Sequence, residues 1–370
     1  MRATRIIISG GGTGGHIFPA IAIANALRRA EPGCEILFVG AAGRMEMEKV
    51  PAAGYKIAGL NISGIQRGSI LKNLALPFKL VDSMQKALKL ITDFKPDVVV
   101  GVGGYASGPV LFAASWKKVP YLIQEQNSYA GITNKRLGKN AAKICVAFDG
   151  MDVFFPAGKI LKTGNPVRKD VVDILNKHFR GSELLKLDPL KKIVLVTGGS
   201  LGAGTLNKSI EKHLQDFIEQ DVQLIWQTGK YYYTGIMERI GPNFHPNVRV
   251  LEFLNQMDLA YAAADVIISR AGAGTIAELC LIRKPVILVP SPNVAEDHQT
   301  KNAMALVKNN AAMLINDRAA EDTLVKEALE LLKDEARCEL LSENIGKMAL
   351  PNADELIAAE VFRLAGKGGV

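Results

Sequence analysis

Two pairs of segments in this chain repeat one order of elements: an apolar β run, a glycine-rich turn and a helical pattern. The segment 6–20, IIISGGGTGGHIFPA, has its counterpart in 192–210, KIVLVTGGSLGAGTLNKSI. The segments 96–123 and 264–289 both run from Asp through a strand, a glycine turn and a small-residue helix into Pro and another strand. Apolar strands that alternate with helices predict parallel sheets covered on both faces. The chain is therefore predicted to be α/β and to contain two similar halves.

The domain boundaries follow from the length and from breaks in this pattern. A chain of 370 residues is long for one core and about right for two domains. Gly164 and Pro166 interrupt the first half, and Pro351 precedes a last helical pattern. We expect a first domain of residues 1–163, joined by a C-terminal helix within 352–370, and a second domain of residues 164–351. Strands are predicted at 5–9, 35–39, 97–102, 120–123, 144–147, 192–197, 222–226, 248–251, 265–268 and 285–289.

The turn from Gly10 to Gly15 holds five glycines and Thr13. Glycines permit positive φ and expose backbone N–H groups, and the start of a helix favours an anion, so a phosphate is the expected guest. The turn also fits the dinucleotide pattern G-x-G-x-x-G. However, residues 40–44, after the second strand, contain no acid that could hold a ribose diol. A dinucleotide site and a purely structural turn remain as alternatives.

The composition excludes several classes of protein. The chain is 48% hydrophobic and 22% charged, as in soluble globular proteins. Its four cysteines lack C-x-x-C or metal-ligand spacing, which predicts reduced thiols, a cytosolic location and no metal site. We find no signal-peptide pattern and no apolar stretch long enough to span a bilayer. No cofactor is predicted.

Positive charge is concentrated in the first half of the chain. Residues 1–163 contain 21 Lys and Arg against 10 Asp and Glu, a net charge of +11, whereas residues 164–370 contain 24 against 27, a net charge of −3. Such asymmetry indicates a polyanionic partner. Aromatic residues make up only 6% of the chain, which disfavours nucleic acid and favours an anionic membrane surface.

The candidate membrane patch lies where apolar and basic residues are interleaved in segment 64–80. Trp116, beside Lys117 and Lys118, is a candidate anchor in the lipid interface. The alternative is an amphipathic core helix with a solvated basic face. The residues of the patch are Ile70, Leu71, Lys72, Leu74, Phe78 and Lys79.

The second half carries a pattern suited to a nucleoside diphosphate. In RAGAGTIAELCL, a helix is predicted to begin near Thr275, where a diphosphate can bind. Glu278, one turn later, can accept both hydrogens of a ribose diol. The alternative is an acid that only complements the helix dipole. Ser200, in TGGSLG, is a candidate phosphate donor, and a capping serine is its alternative.

Seven motifs, in order, resemble the MurG family of peptidoglycan glycosyltransferases. They are GGTGGHIFPA, GGYASGP, QEQNSYAGITNK, TGNPVR, GGSLGA, RAGAGTIAE and EDHQTKNA, from residue 11 to residue 303. The resemblance implies the glycosyltransferase B-type fold, with two doubly wound, Rossmann-like domains facing across a cleft. It also implies a peripheral enzyme on the cytoplasmic face of the bacterial inner membrane.

The implied reaction is an inverting transfer of N-acetylglucosamine from UDP-N-acetylglucosamine to a lipid-linked acceptor. The acceptor is the 4-hydroxyl of the muramyl sugar in undecaprenyl-diphosphate-linked muramyl-pentapeptide. The resemblance assigns the UDP-sugar mainly to the second domain and the acceptor to the first.

The resemblance also implies individual binding residues. Glu278 matches the ribose ligand at the end of the segment Ala273, Gly274, Thr275, Ile276, Ala277 and Glu278. Leu254 matches a backbone contact to uracil. The other implied contacts are Ser200 and Arg168 for the diphosphate, Asn127 and Gln299 for the sugar, and Thr13, Gly14 and Gly15 as cleft residues.

The chemistry of such a transfer needs a stabilised leaving diphosphate and a base near the incoming hydroxyl. Glycine-rich helix starts and Arg168 can supply the first without a metal, and the chain contains no D-x-D metal clamp. His16 directly follows the glycine turn and is the candidate base; a histidine that only caps the turn or binds the acceptor is the alternative. Glu125 is a second candidate. The family often shows HEQN, but this chain has QEQN, so Gln124 has no role as a base.

Three other functions remain to be weighed. A UDP-sugar transferase for a different lipid acceptor would keep the second-half motifs, but GGTGGH, GGYASGP and QEQN favour the muramyl acceptor. A UDP-sugar epimerase of the same fold would have no use for a basic apolar patch. A nicotinamide oxidoreductase is disfavoured by the missing acid after the second strand.

Overall fold

The computed structural model describes residues 2–62, 76–199, 201–241 and 244–367, without the side chains of residues 76 and 295. It divides into two compact units. Unit 1 comprises Met1–Val167 and Leu350–Val370, and unit 2 comprises Arg168–Ala349. The chain therefore leaves unit 1 after residue 167, where the sequence predicted 163, and returns at residue 350, where it predicted 352.

Unit 1 contains a parallel sheet of seven strands in the order β3-β2-β1-β4-β5-β6-β7. The strands are β1 (Arg5–Ser9), β2 (Glu35–Ala41), β3 (Lys56–Leu60), β4 (Val98–Gly101), β5 (Tyr121–Glu125), β6 (Lys143–Val146) and β7 (Ile160–Lys162). Within the described residues, the α-helices between these strands are α1 (Gly14–Ala30), α2 (Glu46–Ala52), α3 (Leu76–Phe94), α4 (Ser107–Trp116) and α5 (Ile132–Gly138).

Unit 2 contains a parallel sheet of six strands in the order β10-β9-β8-β11-β12-β13. Its elements are α6 (Lys169–Val172), α7 (His178–Leu184), β8 (Ile193–Thr197), α8 (Gly204–Lys212), α9 (Leu214–Glu219), β9 (Gln223–Gln227), α10 (Tyr233–Ile240), β10 (Val248–Leu251), α11 (Met257–Ala263), β11 (Val266–Ser269), α12 (Ala273–Ile282), β12 (Val286–Leu288), α13 (His298–Val307), β13 (Met313–Leu314), α14 (Ala320–Lys333) and α15 (Glu335–Lys347).

The last helix, α16 (Ala353–Leu364), belongs to unit 1 and packs against α1. Ile357, Ala358 and Val361 join the core cluster that contains Ile23 and Leu27 of α1. Arg29 also donates a hydrogen bond to Asp354, with 2.6 Å between Nη2 and Oδ2. These contacts complete one face of the first sheet with residues from the end of the chain.

The predicted α/β class with two doubly wound sheets is confirmed. Ile6, Ile7 and Ile8 are fully buried, because the central strand of a parallel sheet is covered on both faces. All ten predicted strands are present, with ends shifted by no more than two residues. The strands β3, β7 and β13 were not predicted: β13 has two residues, β7 has two exposed residues of three, and β3 is mostly half-buried.

The internal repeat reflects the same winding of both units. Strands β1 and β8 occupy matching central positions, and β4 and β11 follow them in each sheet order. The glycine-rich turns after these four strands therefore lie at the carboxyl ends of the sheets. This edge is where ligands bind in doubly wound folds.

Candidate functional site

The glycine turn after β1 is partly filled by the protein itself. A Cβ at Gly10 would lie 2.1 Å from Cγ2 of Val102, and one at Gly11 would lie 2.2 Å from Oε1 of Glu46. By contrast, a Cβ at Gly12 would meet no atom within 4 Å, although its φ of +87° favours glycine. The expectation that a ligand approaches the whole turn is thus wrong at Gly10 and Gly11, where side chains of this unit take up the space.

Residues 40–44, at the end of β2 and just after it, contain no acid, but Glu46 follows them closely in the sequence. In the structure, its carboxyl group lies against the turn after β1. Its side chain is buried, and its Oε2 accepts a hydrogen bond from the N–H of Gly12 at 3.0 Å. Its Oε1 accepts one from the N–H of Ala41 at 2.9 Å. A ribose would need an exposed carboxylate at this place, so this buried one removes the remaining support for a dinucleotide site. Glu46 was missed because an acid in the first turn of a helix has an ordinary explanation.

His16 lies in the first turn of α1 and against the next glycine turn. Its Nδ1 is 3.2 Å from Oγ1 of Thr13, the residue that precedes the helix. A Cβ at Gly103 would come within 2.8 Å of the His16 Nε2, so the ring occupies the space that this glycine leaves. The imidazole is partly exposed, while Thr13 and Gly15 are exposed and Gly14 is half-buried. These residues form an accessible polar surface at the start of α1.

The turns after β1 and β4 are interlocked. Gly104 has a φ of +86°, and a Cβ there would be 2.2 Å from the carbonyl oxygen of Gly11. The hydroxyl of buried Ser107 donates to the carbonyl oxygen of Ser9 at 2.7 Å. Motion of His16 and Gly103 relative to each other is restricted by these contacts.

Gln124 lies in a buried network of carboxamides at the end of β5. Its Nε2 donates to Oδ1 of Asn165 at 2.9 Å, and Nδ2 of Asn165 donates to the carbonyl oxygen of Gln126 at 2.9 Å. Gln124 is fully buried. The residue that replaces the family's histidine therefore has a structural role in this chain, and its amide does not titrate.

Glu125 is also buried, and this position argues against the role of base. Its oxygens accept hydrogen bonds from N–H groups of Asn127, Gly131 and Asn134. Burial raises the pKa of this carboxyl group, although the same hydrogen bonds oppose the increase. Both oxygens are occupied in holding the loop after β5, which also places half-buried Asn127.

In unit 2, the start of α12 carries the predicted nucleotide-binding segment. Gly272 precedes the helix, the side of Gly274 is open, and Ala273, Gly274, Thr275 and Ala277 are partly exposed, whereas Ile276 is buried. Glu278 is partly exposed, and its Oε2 accepts a hydrogen bond from the hydroxyl of Tyr261 at 3.0 Å. Tyr261, inside the apolar helix α11, gave no functional signal in the sequence.

The charge of Glu278 is set by three neighbouring groups and by burial. Burial raises the pKa of Glu278 to about 7, while the Tyr261 hydroxyl and the positive charge of Arg168 lower it and Asp170 raises it. Exposed Arg168, at the start of α6, is thus close enough to influence this carboxyl group electrostatically. Arg168 and Glu278 are far apart in the sequence, yet the charge of Arg168 acts on the Glu278 carboxyl group.

The remaining predicted contacts in unit 2 are spread over other elements and loops. Gln299 lies in the first turn of α13, and its Oε1 accepts a hydrogen bond from the N–H of Ser291 at 2.8 Å. The side chain of Leu254, in the loop after β10, is 9% exposed. Ser200 lies outside the described residues.

The helices α3 and α4 of unit 1 pack against each other, and both carry exposed apolar side chains. Phe78 is 79% exposed, and Trp116 is 68% exposed and in edge-to-face contact with Phe112. Lys79 is half-buried, and Lys117 and Lys118 are exposed. Ile70, Leu71, Lys72 and Leu74 lie outside the described residues. Among the described helices, none is both long and apolar enough to cross a bilayer.

The two units match the two halves of one enzyme family. Residues 6–146 match the glycosyltransferase family 28 N-terminal domain, and residues 193–357 match the glycosyltransferase family 28 C-terminal domain. Acinetobacter baumannii MurG has a similar structure, with a TM-score of 0.77 and 27% identity over 97% of this chain and 99% of that one. The UDP-GlcNAc 2-epimerase of Neisseria meningitidis has a TM-score of 0.67 at 16% identity, over 98% and 100% of the two chains, which shows a shared fold.

Two relatives that match nearly the whole chain share one name. The Parabacteroides distasonis protein is 55% identical over 99% of this chain and 100% of its own length. The Flavobacterium psychrophilum protein is 50% identical over 98% of both chains. Each is named UDP-N-acetylglucosamine--N-acetylmuramyl-(pentapeptide) pyrophosphoryl-undecaprenol N-acetylglucosamine transferase. By these matches over nearly its full length, the chain belongs to glycosyltransferase family 28 and, within it, to the MurG family of transferases.

Proposed function

We propose that this protein transfers N-acetylglucosamine from UDP-N-acetylglucosamine to the muramyl 4-hydroxyl of undecaprenyl-diphosphate-linked muramyl-pentapeptide. The names of relatives at 50 to 55% identity support the reaction. The observation that carries the proposal in this chain is Glu278, a partly exposed residue one turn into α12 whose carboxyl group is influenced by the charge of Arg168. At the place where the sequence predicted a nucleotide, Glu278 can accept hydrogen bonds from a ribose diol, and Arg168 provides a positive charge.

The donor is proposed to bind unit 2. The Glu278 carboxylate accepts hydrogen bonds from the ribose hydroxyls, and the open start of α12, around Gly274, faces the diphosphate. Arg168 and Ser200 are proposed as further diphosphate contacts. Leu254 contributes backbone atoms to uracil, and Gln299 and Asn127 contact the sugar.

The acceptor is proposed to bind unit 1, at Thr13, Gly14 and Gly15. His16 removes the proton from the 4-hydroxyl as this oxygen forms a bond to C1 of N-acetylglucosamine. The bond between C1 and the UDP oxygen breaks in the same step, and its electron pair leaves with the diphosphate. Displacement from the face opposite to the leaving group converts the α-linkage into a β-linkage. The helix dipole of α12 and Arg168 stabilise the departing charge.

We propose that unit 1 docks on the anionic cytoplasmic face of the bacterial inner membrane. An acceptor carried on a polyprenyl chain stays in the bilayer, so its enzyme must come to the surface. The exposed Phe78 and Trp116 supply apolar contact, and Lys79, Lys117 and Lys118 supply attraction to anionic lipid.

The test is a transfer assay with a short-chain acceptor in the presence and absence of EDTA. The expected product is a β-linked disaccharide, formed at a largely unchanged rate in EDTA because Arg168 and helix termini stabilise the leaving group. An α-linked product, or loss of all activity in EDTA, would contradict this mechanism. Incubation with UDP-N-acetylglucosamine alone tests the epimerase alternative, since an epimerase would accumulate the 2-epimer without an acceptor.

A further inference from the structure

A buried ion pair lies at the carboxyl edge of the second sheet, the edge that carries the proposed donor site. Arg270 directly follows β11, and Asp317 lies between β13 and α14. Their side chains are 13% and 15% exposed, and Nη1 of Arg270 donates a hydrogen bond to Oδ1 of Asp317. Removal of one partner of a buried pair leaves the other charge without compensation. The position of the Arg270 guanidinium group therefore depends on Asp317.

Asp317 is itself held by a second partner. Its Oδ2 accepts a hydrogen bond from the hydroxyl of Thr205 at 3.0 Å. Thr205 lies in the first turn of α8, more than a hundred positions earlier in the chain. One oxygen of the carboxylate thus binds α8, and the other binds the residue that follows β11. Because both oxygens are engaged, the carboxylate has a defined orientation.

Arg270 also holds the start of the loop between β12 and α13. Its Nη1 donates to the carbonyl oxygens of Val289 and Pro290, at 3.0 and 3.2 Å. Further along this loop, Glu296 and Asp297 have left-handed backbone conformations, with φ of +56° and +51°. Such conformations are costly for residues other than glycine and persist only where surrounding contacts hold the chain. Arg270 supplies two contacts of this kind.

The same loop is connected to Gln299. The N–H of Ser291, the residue after Pro290, donates to Oε1 of Gln299 at 2.8 Å. Since this oxygen is engaged, the side-chain amide can use its Nε2 to donate to a ligand. A shift of Pro290 would move Ser291 and turn the amide. A path of hydrogen bonds therefore runs from Asp317 through Arg270 and the loop to the residue proposed to contact the sugar.

We propose that Asp317 is a positioning residue for the N-acetylglucosamine part of the donor. It acts through Arg270, which fixes the loop after β12 and thereby the amide of Gln299. Loss of its charge weakens the binding of the sugar and leaves the binding of the nucleotide unchanged, because the ribose is proposed to bind Glu278. This inference rests on the proposed function, in which Gln299 contacts the sugar.

The experiment measures two dissociation constants of the full-length protein by calorimetry without acceptor, one for UDP-N-acetylglucosamine and one for UDP. Asp317→Asn keeps the shape of the side chain and removes its charge. We expect the Kd for UDP-N-acetylglucosamine to rise about tenfold, as for loss of one hydrogen bond to the sugar, and the Kd for UDP to equal that of the parent. Asp322→Asn is the matched control, because Asp322 also pairs with a side chain of α8, Lys212, but is 72% exposed. This variant should leave both Kd values unchanged.

A double-mutant cycle tests the connection to Gln299. Gln299→Ala should also raise the Kd for UDP-N-acetylglucosamine about tenfold. If Asp317 acts through Gln299, the double variant should bind as weakly as Gln299→Ala alone, whereas independent effects would add up to about a hundredfold. A merely structural effect of Asp317→Asn would lower the affinity for UDP as well.

Equal rises in both Kd values of Asp317→Asn, two unchanged values, or additive effects in the cycle would overturn the proposal. If Asp317→Asn does not fold, Thr205→Val decides, since it removes only the hydroxyl that holds Asp317. It should raise the Kd for UDP-N-acetylglucosamine about threefold and leave that for UDP unchanged.

The failure of this inference differs from failure of the proposed function. An effect of Gln299→Ala without an effect of Asp317→Asn would overturn this inference alone. A normal Kd of Gln299→Ala for UDP-N-acetylglucosamine would contradict the proposed sugar contact and this inference with it. A parent that makes no transfer product would contradict the proposed reaction.

Discussion

Two glutamates, Glu46 in unit 1 and Glu278 in unit 2, lie near glycine-rich turns at equivalent edges of the two sheets. Both oxygens of Glu46 accept hydrogen bonds from backbone N–H groups, and its side chain is buried. Glu278 is partly exposed, and its side-chain partner is the hydroxyl of Tyr261. A carboxylate bonded to the backbone at both oxygens holds the fold together, whereas one with remaining acceptor capacity can serve a ligand. The same winding thus supports a closed polar site in one unit and an open one in the other.

The largest expected effect is on the chemical step, in unit 1. His16→Gln should lower kcat by about 10²- to 10⁴-fold, because a positioned general base contributes that much. The affinity for UDP should stay unchanged, since the residues proposed to bind UDP itself all lie in unit 2, whereas His16 lies in unit 1. Single-turnover kinetics and UDP titration measure the two quantities. A variant with normal kcat and a raised acceptor KM would show that His16 only binds the acceptor.

The second effect is on nucleotide binding, in unit 2. Glu278→Ala removes two charge-assisted hydrogen bonds to the ribose and should reduce kcat/KM by about 2 to 4 kcal/mol in free-energy terms. UDP affinity, measured by calorimetry, should fall by a similar factor. Glu321→Ala is the control, because Glu321 is an exposed acid in the first turn of α14. Equal UDP affinity in Glu278→Ala and the parent would mean that Glu278 does not bind the ribose and only complements the dipole of α12.

The third effect is the pH dependence of UDP binding. The pKa of Glu278 is raised to about 7, and the diol requires the carboxylate, so UDP affinity should increase between pH 6 and pH 8. Below the midpoint the loss approaches about tenfold per pH unit. Tyr261→Phe removes a hydrogen bond that lowers this pKa, so the midpoint should move to higher pH. A midpoint left in place would mean that Tyr261 only fills space.

The fourth effect concerns the membrane surface and distinguishes the charges of the two units. Lys117→Glu should weaken binding to anionic vesicles by about 2 kcal/mol, since each near-surface cation contributes about 1 kcal/mol and the change reverses the charge. Lys308→Glu changes an exposed lysine of unit 2 in the same way and should have no effect. Sedimentation with vesicles at low salt measures both. Equal losses in the two variants would mean that only net charge matters.

The smallest effect is on the stability of unit 1 in acid. Burial raises the pKa of Glu31, but the hydrogen bonds from Lys367 and Thr4 together outweigh this effect. The pKa is therefore lowered to about 2. Because the folded pKa lies below the unfolded value, this stabilisation is present above pH 4.5 and is lost as the pH falls towards 2. Glu31→Gln should cost about 1 kcal/mol at pH 7 after allowance for solvent screening, and less at pH 3. Urea unfolding at both pH values tests this difference.

The sequence was sufficient for the strands with strong apolar runs, since burial on both faces leaves a clear pattern. It also predicts a candidate site in unit 2, because a glycine turn and an acid one helical turn later are close in sequence, and this site stays a prediction. It could not locate Glu46 or Tyr261, whose partners come from other elements. In the sequence, Glu46 resembles an ordinary helix-end acid and Tyr261 an ordinary core aromatic residue. Tertiary contacts alone give these two residues their significance.

The return of α16 to unit 1 has a consequence for the order of events during synthesis. Arg29 and Asp354, which form an ion pair in unit 1, are separated by 325 positions in the chain. All of unit 2, up to Ala349, therefore leaves the ribosome before α16 can cover the first sheet. The unit that begins first is completed last, and until then the apolar surface of α1 that faces Ile357 and Val361 is uncovered.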